Sequence, residues 1–146
     1  MRRIGEPWLP DRPYRDRRGV YAMILGRDGH LLLVDERGEL QLPGGGIDPG
    51  ESPWQALHRE VREETGWRIT DIRHFDAFQR FTFMPDYGFW AHKRQLICLA
   101  RAVRPLSAPT EDWHQPLWMA PEDAAVKLDV EGDRVMVARA LQMGLI

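Results

Sequence analysis

The sequence has little cysteine, no long apolar run and no strong excess of either charge, and each absence excludes a class of protein. Cys98 is the only cysteine among 146 residues, so no disulfide can form within the chain. Its apolar surroundings predict a buried thiol, and we expect a cytoplasmic protein. No apolar run reaches the length of a membrane span and no secretory signal follows Met1, so we expect no membrane partner.

The charge balance gives no global reason to expect a polyanionic partner. A formal net charge of −2 predicts no stable complex with nucleic acid. Residues 1–18 differ, because they contain six arginines and only three acidic residues. This basic N-terminal arm is either part of the domain or partly flexible, and it could attract a polyphosphate. The chain length and a hydrophobic content of 43% predict a single domain over residues 19–146.

A helix is predicted between two terminal signals in the middle of the chain. Ser52 is a favourable N-cap, Pro53 suits the first helical position, and Gln55 stands where a capping box places glutamate or glutamine. Gly66 supplies the C-terminal stop. The helix is therefore expected to start after Ser52 and to end before Gly66.

Two faces of this helix differ in character. At about 100° per residue, one arc is apolar and is expected to be buried. It contains Trp54, Leu57, Val61 and Thr65. The neighbouring arc contains Glu60, Glu63 and Glu64, related as i, i+3 and i+4. Like charges at this spacing each cost about 0.2–0.5 kcal/mol, and a bound divalent cation would reverse that cost. The alternative is a solvated acidic face.

A glycine run precedes the helix. Gly44, Gly45 and Gly46 follow Pro43 and permit positive φ and close approach of the backbone to a ligand. Carbonyl groups of such a loop can reach a metal, and its amides can bind a phosphate. The run is a candidate phosphate-binding loop, although glycine runs alone usually form turns.

The spacing of these residues resembles the signature of the Nudix hydrolases. Gly45 is followed after five residues by Glu51, and after seven more by Arg59-Glu60-Val61. One further residue separates these from Glu63-Glu64, and another separates that pair from Gly66 and Trp67. Every fixed polar and glycine position matches. The family usually has an aliphatic residue in place of Trp67, so we expect altered packing there and unchanged chemistry.

The resemblance implies a metal site and its supporting residues. The ligands implied for Mg²⁺ or Mn²⁺ are the carbonyl of Gly44 and the side chains of Glu60, Glu63 and Glu64. Arg59 would orient these glutamates, and Glu51 would support the hydration shell of the metal. The four side chains expected to act in catalysis are Glu51, Arg59, Glu60 and Glu63.

The general base is the least determined position. The resemblance implies either Glu60 or a glutamate outside the signature. Glu111, in the loop before the short strand at Trp118, is a candidate base and metal ligand, with Asp112 as its alternative. A solvated loop acid is the other interpretation. The loop histidines, including His114, could border the substrate but are more often inert.

The remaining pattern predicts an α/β fold. Expected strands cover residues 19–27, 30–36, 67–83, 94–103 and 117–119, with breaks in the third near Asp71 or Asp76. A second helix is expected to start at Pro121, and helical periodicity returns over residues 133–143. Strands interleaved with helices predict a central mixed β-sheet covered on both sides, an α/β/α sandwich. The Nudix resemblance implies the same fold.

The predicted chemistry is hydrolysis of a phosphoric anhydride. Clustered cations would screen the negative charge of a nucleoside diphosphate linked to another group while water attacks phosphorus. The expected substrate is a small nucleotide-type molecule such as a nucleotide sugar. The alternatives are a 5′-pyrophosphohydrolase of RNA, a dinucleoside polyphosphate hydrolase, and a Nudix-like sensor that binds a nucleotide without cleaving it. The sequence does not determine the oligomeric state, and a homodimer is possible.

Aromatic residues offer surfaces on which a base could stack. The candidates are Trp8, Tyr14, Phe83, Tyr87, Phe89 and Trp90. A ring face binds any base with little discrimination. Core packing is the competing interpretation for each of them.

Overall fold

The five predicted strands and two short strands that the sequence does not predict form one seven-stranded sheet in the computed structural model, which describes residues 1–146. The strands are β1 (Tyr14–Leu25), β2 (Leu31–Glu36), β3 (Glu39–Gln41), β4 (Gly44–Gly46), β5 (Trp67–Met84), β6 (Phe89–Pro105) and β7 (His114–Met119). The helices are α1 (Pro53–Thr65), α2 (Pro121–Lys127) and α3 (Glu131–Gln142). None of these helices has the length and apolar character that crossing a membrane requires.

The sheet is mixed, as the sequence predicts. Its main path runs β3-β2-β1-β6-β5, with β4 paired to β1 and β7 paired to β2. The pairing of β1 with β6 is parallel, and every other pairing is antiparallel. Because β4 lies antiparallel to the middle of β1, the glycine run is held against the sheet.

Alternating side chains of β1 supply two separate hydrophobic cores. Tyr21 and Met23 pack on the face covered by α2 and α3, whereas Val20, Ala22 and Ile24 pack on the face covered by α1. Period-two alternation of this kind places successive side chains on opposite faces of a strand. The sheet therefore lies between helices on both sides, which confirms the predicted α/β/α sandwich.

The ends of α1 follow the predicted signals. The Ser52 hydroxyl accepts from the Gln55 amide at 3.1 Å, and the Gln55 side chain accepts from the Ser52 amide at 2.9 Å. At the other end Gly66 has φ 75°. A Cβ atom there would lie 1.8 Å from the carbonyl oxygen of Ser107, so only glycine fits. These two ends fix which residues of α1 point towards β4.

The buried face of α1 is rotated from the predicted arc. Leu57, Val61 and Thr65 are buried as expected, but Trp54 is 38% exposed. Glu64 is buried instead, because its carboxylate accepts a hydrogen bond from the backbone of Gly44 in β4. Helical periodicity predicts burial from the hydrophobicity of each residue. It does not reveal that a backbone amide of β4 will hold a carboxylate of α1 in a buried position.

Several strands are longer than the sequence predicts. β1 starts at Tyr14 instead of residue 19, because Tyr14 already pairs with Trp90 of β6. The segment expected to be a loop before residue 94 contracts to a tight turn, and β6 starts at Phe89. The predicted breaks in β5 are register irregularities in a continuous strand, and Asp71 has φ 54° at one of them. Pairing partners, which sequence periodicity does not show, extend these strands.

Trp67 and Cys98 are two residues for which the sequence predicts particular packing. Trp67, the departure from the family pattern, packs edge-to-face on Trp118 with ring centroids 5.2 Å apart. Cys98 is fully buried, and burial raises the pKa of its thiol to about 12. Cys98 is therefore an inert core residue, as predicted from its apolar surroundings.

Candidate functional site

An open cleft of about 680 Å³ lies beside the glycine strand β4. Acidic residues in its wall include Glu36, Glu60 and Glu64. Basic residues in its wall include Arg17, Arg18, Arg37, Arg80 and Lys93. The cleft thus combines carboxylates that can bind a cation with cations that can bind an anion.

Arg59 organises the acidic residues next to β4. Its Nε and Nη2 atoms donate to the two carboxylate oxygens of Glu51, each at 2.8 Å. Its Nη1 donates to Glu60 at 2.9 Å, and Nη2 also donates to the carbonyl of Gly46 at 3.0 Å. Glu63 lies farther away, 3.4 Å from Nη1. Because a guanidinium is planar with donors in fixed positions, these contacts orient the carboxylates.

The contacts of Arg59 lower the pKa of both Glu51 and Glu60, but burial outweighs them at Glu60. The bidentate hydrogen bond from Arg59 lowers the pKa of Glu51 to about 2. The same bond is the largest cause that raises the pKa of Arg59. Glu60 is more deeply placed, and burial raises its pKa although Arg59 pulls it down. Glu51 is therefore a fixed anion, whereas the charge on Glu60 is not fully compensated.

Glu64 is the most buried acid of the site. Its side chain accepts one hydrogen bond, from the amide of Gly44 at 2.8 Å. Burial raises the pKa of Glu64 well above its ordinary value, and the nearby charge of Glu60 raises it further. A divalent cation between the two would stabilise the ionised form of both.

The glycines of β4 allow this close approach. A Cβ atom on Gly44, which has φ 146°, would lie 2.2 Å from the carbonyl oxygen of Val20. A Cβ atom on Gly45 would lie 2.5 Å from the carboxyl carbon of Glu60. Gly44 therefore fits β4 against β1, and Gly45 makes room for the carboxylate.

Two further side chains join Glu64 in the cleft. His114 Nε2 lies 3.8 Å from Glu64 and 3.6 Å from Glu36. One potential ligand atom of each of the three residues lies within 4.8 Å of the others. Sequence reasoning alone does not find this group, because Glu36 ends β2, His114 begins β7, and only their antiparallel register sets them opposite each other.

Two predicted ligands lie outside the cleft wall. Glu63 contacts Arg59, but its side chain is 45% exposed and it is not among the residues that line the cleft. Glu111 is exposed and does not line the cleft either. Its backbone carbonyl accepts from the amide of His114 at 3.3 Å, so its loop supports the start of β7. The roles of Glu63 and Glu111 remain predictions.

The donor atoms in the cleft suit a divalent cation. Glu36, Glu60 and Glu64 offer carboxylate oxygens, which Mg²⁺ and Mn²⁺ prefer, and His114 adds an imidazole nitrogen. Burial raises the pKa of both Glu60 and Glu64, and the attraction of Arg59 does not offset it at Glu60.

The fold is shared with solved structures of one family. A Nudix hydrolase family member from Chromobacterium violaceum superposes with a TM-score of 0.64 at 28% identity, covering 90% of this chain and 80% of that one. A MutT NUDIX hydrolase from Burkholderia pseudomallei gives a TM-score of 0.68 at 24% identity, covering 85% and 97%. The second likeness concerns the fold alone.

Sequence comparison adds a family match and partial relatives. An RNA pyrophosphohydrolase from Pectobacterium atrosepticum is 42% identical over 67 residues, which is 44% of this chain and 37% of the relative. The chain therefore matches well under half the length of that curated relative. The model of the NUDIX domain matches residues 15–140, most of the chain. On this match the protein belongs to the Nudix family.

Proposed function

We propose that this protein hydrolyses a phosphoric anhydride bond in a nucleoside diphosphate linked to another moiety, by attack of water on phosphorus. The observation that supports this most strongly is a pair of carboxylates beside the glycine strand β4. Glu60 is half-buried and oriented by Arg59, and Glu64 is buried and held by the amide of Gly44. Carboxylates without a full internal counter-ion are costly unless a cation binds them.

The family generally uses a divalent metal ion, and the residues of this cleft fit one. Glu60, Glu64 and the carbonyl of Gly44 would hold Mg²⁺ or Mn²⁺, with Glu36 and His114 within reach of the same volume. When bound, such an ion screens the charge of the anhydride, lowers the pKa of water and stabilises the leaving phosphate.

The other residues of the site bind and orient. Arg59 holds Glu51 and Glu60 in one geometry, and Glu51 stays ionised through that contact. Residues 44–46, predicted as a phosphate-binding loop, form strand β4, and the amide of Gly44 already donates to Glu64. Phosphate contact is therefore proposed only for amides of this segment that remain free. Glu60, half-buried in the cleft wall, is the proposed general base, with Glu111 as the alternative from outside the signature.

Two substrate classes remain for this proposal. Family members act on small nucleotide-type substrates, which supports a nucleotide or nucleotide sugar. The partial relatives named RNA pyrophosphohydrolase support the 5′ end of an RNA as the alternative. A cytoplasmic location, a role for Glu63 and Glu111 at the metal, and a homodimer are further parts of the proposal.

Phosphate release tests the proposal. A panel of nucleoside triphosphates, nucleotide sugars, dinucleotides and 5′-triphosphorylated RNA should yield product with Mg²⁺ and none with a chelator. Glu60→Gln and Glu64→Gln should each reduce turnover by roughly a hundredfold or more, and we expect Glu63→Gln to do the same. Glu122→Gln, an exposed acid on α2, is the matched control. Ligand binding without release from any substrate would instead indicate a nucleotide sensor.

A further inference from the structure

Three cations lie side by side across three neighbouring strands. Arg17 of β1 pairs with Lys93 of β6, and Lys93 pairs with Arg80 of β5. Directly paired residues point to the same face of a sheet, so the three side chains form one line, here called the cationic row. All three are half-buried and line the cleft that contains Glu60 and Glu64.

No acidic side chain forms a direct ion pair with the cationic row, although the buried Asp133 is close enough to attract Arg80 and Lys93. None of its three members forms an ion pair within 4.0 Å or donates a side-chain hydrogen bond to the protein. Arg17 lies over the ring of Tyr87 at 4.9 Å, and Lys93 lies 5.8 Å from the ring of Tyr21. The Nε of Arg80 is buried without a partner. Like charges directly opposite each other destabilise a sheet, so the row is costly in the isolated protein.

A pair of exposed arginines on β5 and β6 provides a comparison for the burial of the row. Arg68 of β5 pairs directly with Arg104 of β6, and neither has an ion-pair partner. Both are exposed and neither lines the cleft, so water solvates their charge. The cationic row is half-buried inside a cleft, where water solvates its charge less completely. An anion from outside would remove this cost.

The surroundings of the row define that anion. The same cleft contains the carboxylates proposed to bind a metal, so an anion on the row can extend to the cation. A chain of phosphates gains negative charge with each added phosphate, so a longer chain can form more charge-assisted hydrogen bonds with the row while it also contacts the metal. Phe83 and Tyr87, 43% and 58% exposed, line the cleft and offer faces for a base.

We propose that the cationic row of Arg17, Lys93 and Arg80 binds the phosphates beyond the scissile bond and selects ligands with three or more consecutive phosphates on a nucleoside 5′ carbon. This inference rests on the proposed function for the position of the scissile bond, while the binding itself does not depend on hydrolysis. The same chemistry exists in a nucleoside triphosphate and in the 5′ end of a primary RNA transcript.

Binding of inorganic polyphosphates without metal tests the row directly. In the presence of a chelator, titration calorimetry should show that tripolyphosphate binds at least roughly tenfold more tightly than pyrophosphate. Arg17→Gln and Lys93→Gln should each weaken tripolyphosphate binding by roughly tenfold. Arg68→Gln and Arg104→Gln, the exposed pair, should leave it unchanged. Equal binding of the two anions, or equal losses in row and control variants, would overturn the proposal.

Titrations with two different ligands show whether the row binds the triphosphate of a free nucleotide or that of an RNA 5′ end. The same titration with a nucleoside triphosphate and with a short 5′-triphosphorylated oligoribonucleotide assigns the row to whichever binds more tightly and loses affinity in Lys93→Gln. Insensitivity of both ligands to Lys93→Gln would contradict the row. Circular dichroism of each variant separates lost binding from lost folding.

An incorrect proposal for the cationic row and an incorrect proposal for hydrolysis would give different experimental results. If the row is wrong and the enzyme proposal is right, phosphate release persists with unchanged KM for triphosphates in Lys93→Gln. If the enzyme proposal is wrong and the row is right, tripolyphosphate binding depends on Lys93 while no substrate releases phosphate.

Discussion

Arg59 and the arginines of the cationic row differ in how many of their side-chain donors are used by the protein. Arg59 donates five hydrogen bonds, to Glu51, Glu60, Glu63 and Gly46. Arg17 and Arg80 donate none from their side chains and have no carboxylate within ion-pair distance. An arginine whose donors are all used holds its neighbours in place. An arginine whose donors are free is available to a ligand.

The same contrast applies to the acids. Glu51 has its charge fully matched by Arg59, and its pKa falls to about 2. Glu60 and Glu64 are matched only in part, and burial raises their pKa values. Matched groups therefore build the frame of the site, and unmatched groups of both signs face the cleft. A metal and a polyphosphate are together the complement of that surface.

Removing Arg59 should have the largest effect, because it breaks the frame. In Arg59→Ala, Glu51 and Glu60 lose their common partner and can turn away, and misplacing catalytic groups by about 1 Å can cost roughly a hundredfold in rate. We expect kcat to fall by roughly 10²–10³-fold at saturating Mg²⁺ in steady-state kinetics. The pKa of Glu51, followed by NMR, should rise from about 2 towards the ordinary value of a glutamate.

Arg62→Ala is the matched control on the same helix. Arg62 is exposed, and its side chain forms no ion pair. Its loss should change kcat by less than about twofold. Equal rates in Arg59→Ala and Arg62→Ala would show that the frame around Arg59 does not position the carboxylates.

Local signals in the sequence predict the helix on which Arg59 lies, whereas the orienting role of Arg59 is implied by the Nudix resemblance. The capping box at Ser52, the stop at Gly66 and the spacing of the glutamates are all determined within one segment of the chain. The mixed sheet between helices also follows from the order of strand and helix patterns, and it is confirmed. Such features depend on neighbours in sequence, so periodicity and capping rules find them.

Long-range register explains what the sequence could not show. The alignment of Arg17, Lys93 and Arg80 depends on a parallel pairing of β1 with β6 and an antiparallel pairing of β6 with β5. The meeting of Glu36 and His114 depends in the same way on β2 and β7. A one-residue shift in any pairing would send these side chains to the other face, and periodicity within a strand does not set the register.

Asp133 is a buried acid near the cationic row, so it tests the contrast between matched and unmatched charged groups. It is 2% exposed, and burial raises its pKa to about 6 although Arg80 and Lys93 pull it down. The folded state thus holds the proton more tightly than the unfolded state, where the pKa is 3.8. Stability is fully present below about pH 4 and falls as pH rises through about 6. At about 1.36 kcal/mol per pH unit this interval corresponds to about 3 kcal/mol.

Asp133→Asn should therefore stabilise the protein at pH 8 by about 2–3 kcal/mol and leave the stability near pH 4 almost unchanged. The asparagine oxygen can still accept from the amide of Leu42, which lies 3.4 Å from the carboxylate. Urea unfolding followed by tryptophan fluorescence between pH 4 and pH 8 measures the effect. Glu131→Gln, exposed at the start of α3, removes the same charge and should not flatten the pH dependence.

If Asp133→Asn lowers stability at pH 8, the attraction of the ionised Asp133 to Arg80 and Lys93 outweighs the cost of burying its charge. The row would then have an internal counter-ion, and its contrast with Arg59 would disappear. The stability measurement therefore tests the electrostatic basis of the row without any ligand.

Gly45→Ala should have the smallest effect and should separate the two halves of the cleft. The added methyl would lie 2.5 Å from the carboxyl carbon of Glu60, so the carboxylate has to move while the backbone stays unstrained. We expect kcat/KM to fall by roughly tenfold, because a displaced group loses part of its transition-state contact. Tripolyphosphate binding in chelator, which depends on Arg17 and Lys93, should not change.

A double-mutant cycle decides whether the methyl acts through Glu60. In a Glu60→Ala background no carboxylate remains to be displaced, so Gly45→Ala should cost almost nothing more in kcat/KM. Additive losses would mean that the alanine perturbs β4 itself and with it the amide of Gly44 that binds Glu64. A loss of tripolyphosphate binding in Gly45→Ala would mean that metal and phosphate sites respond as one unit, because the cationic row would then depend on the geometry of the acids.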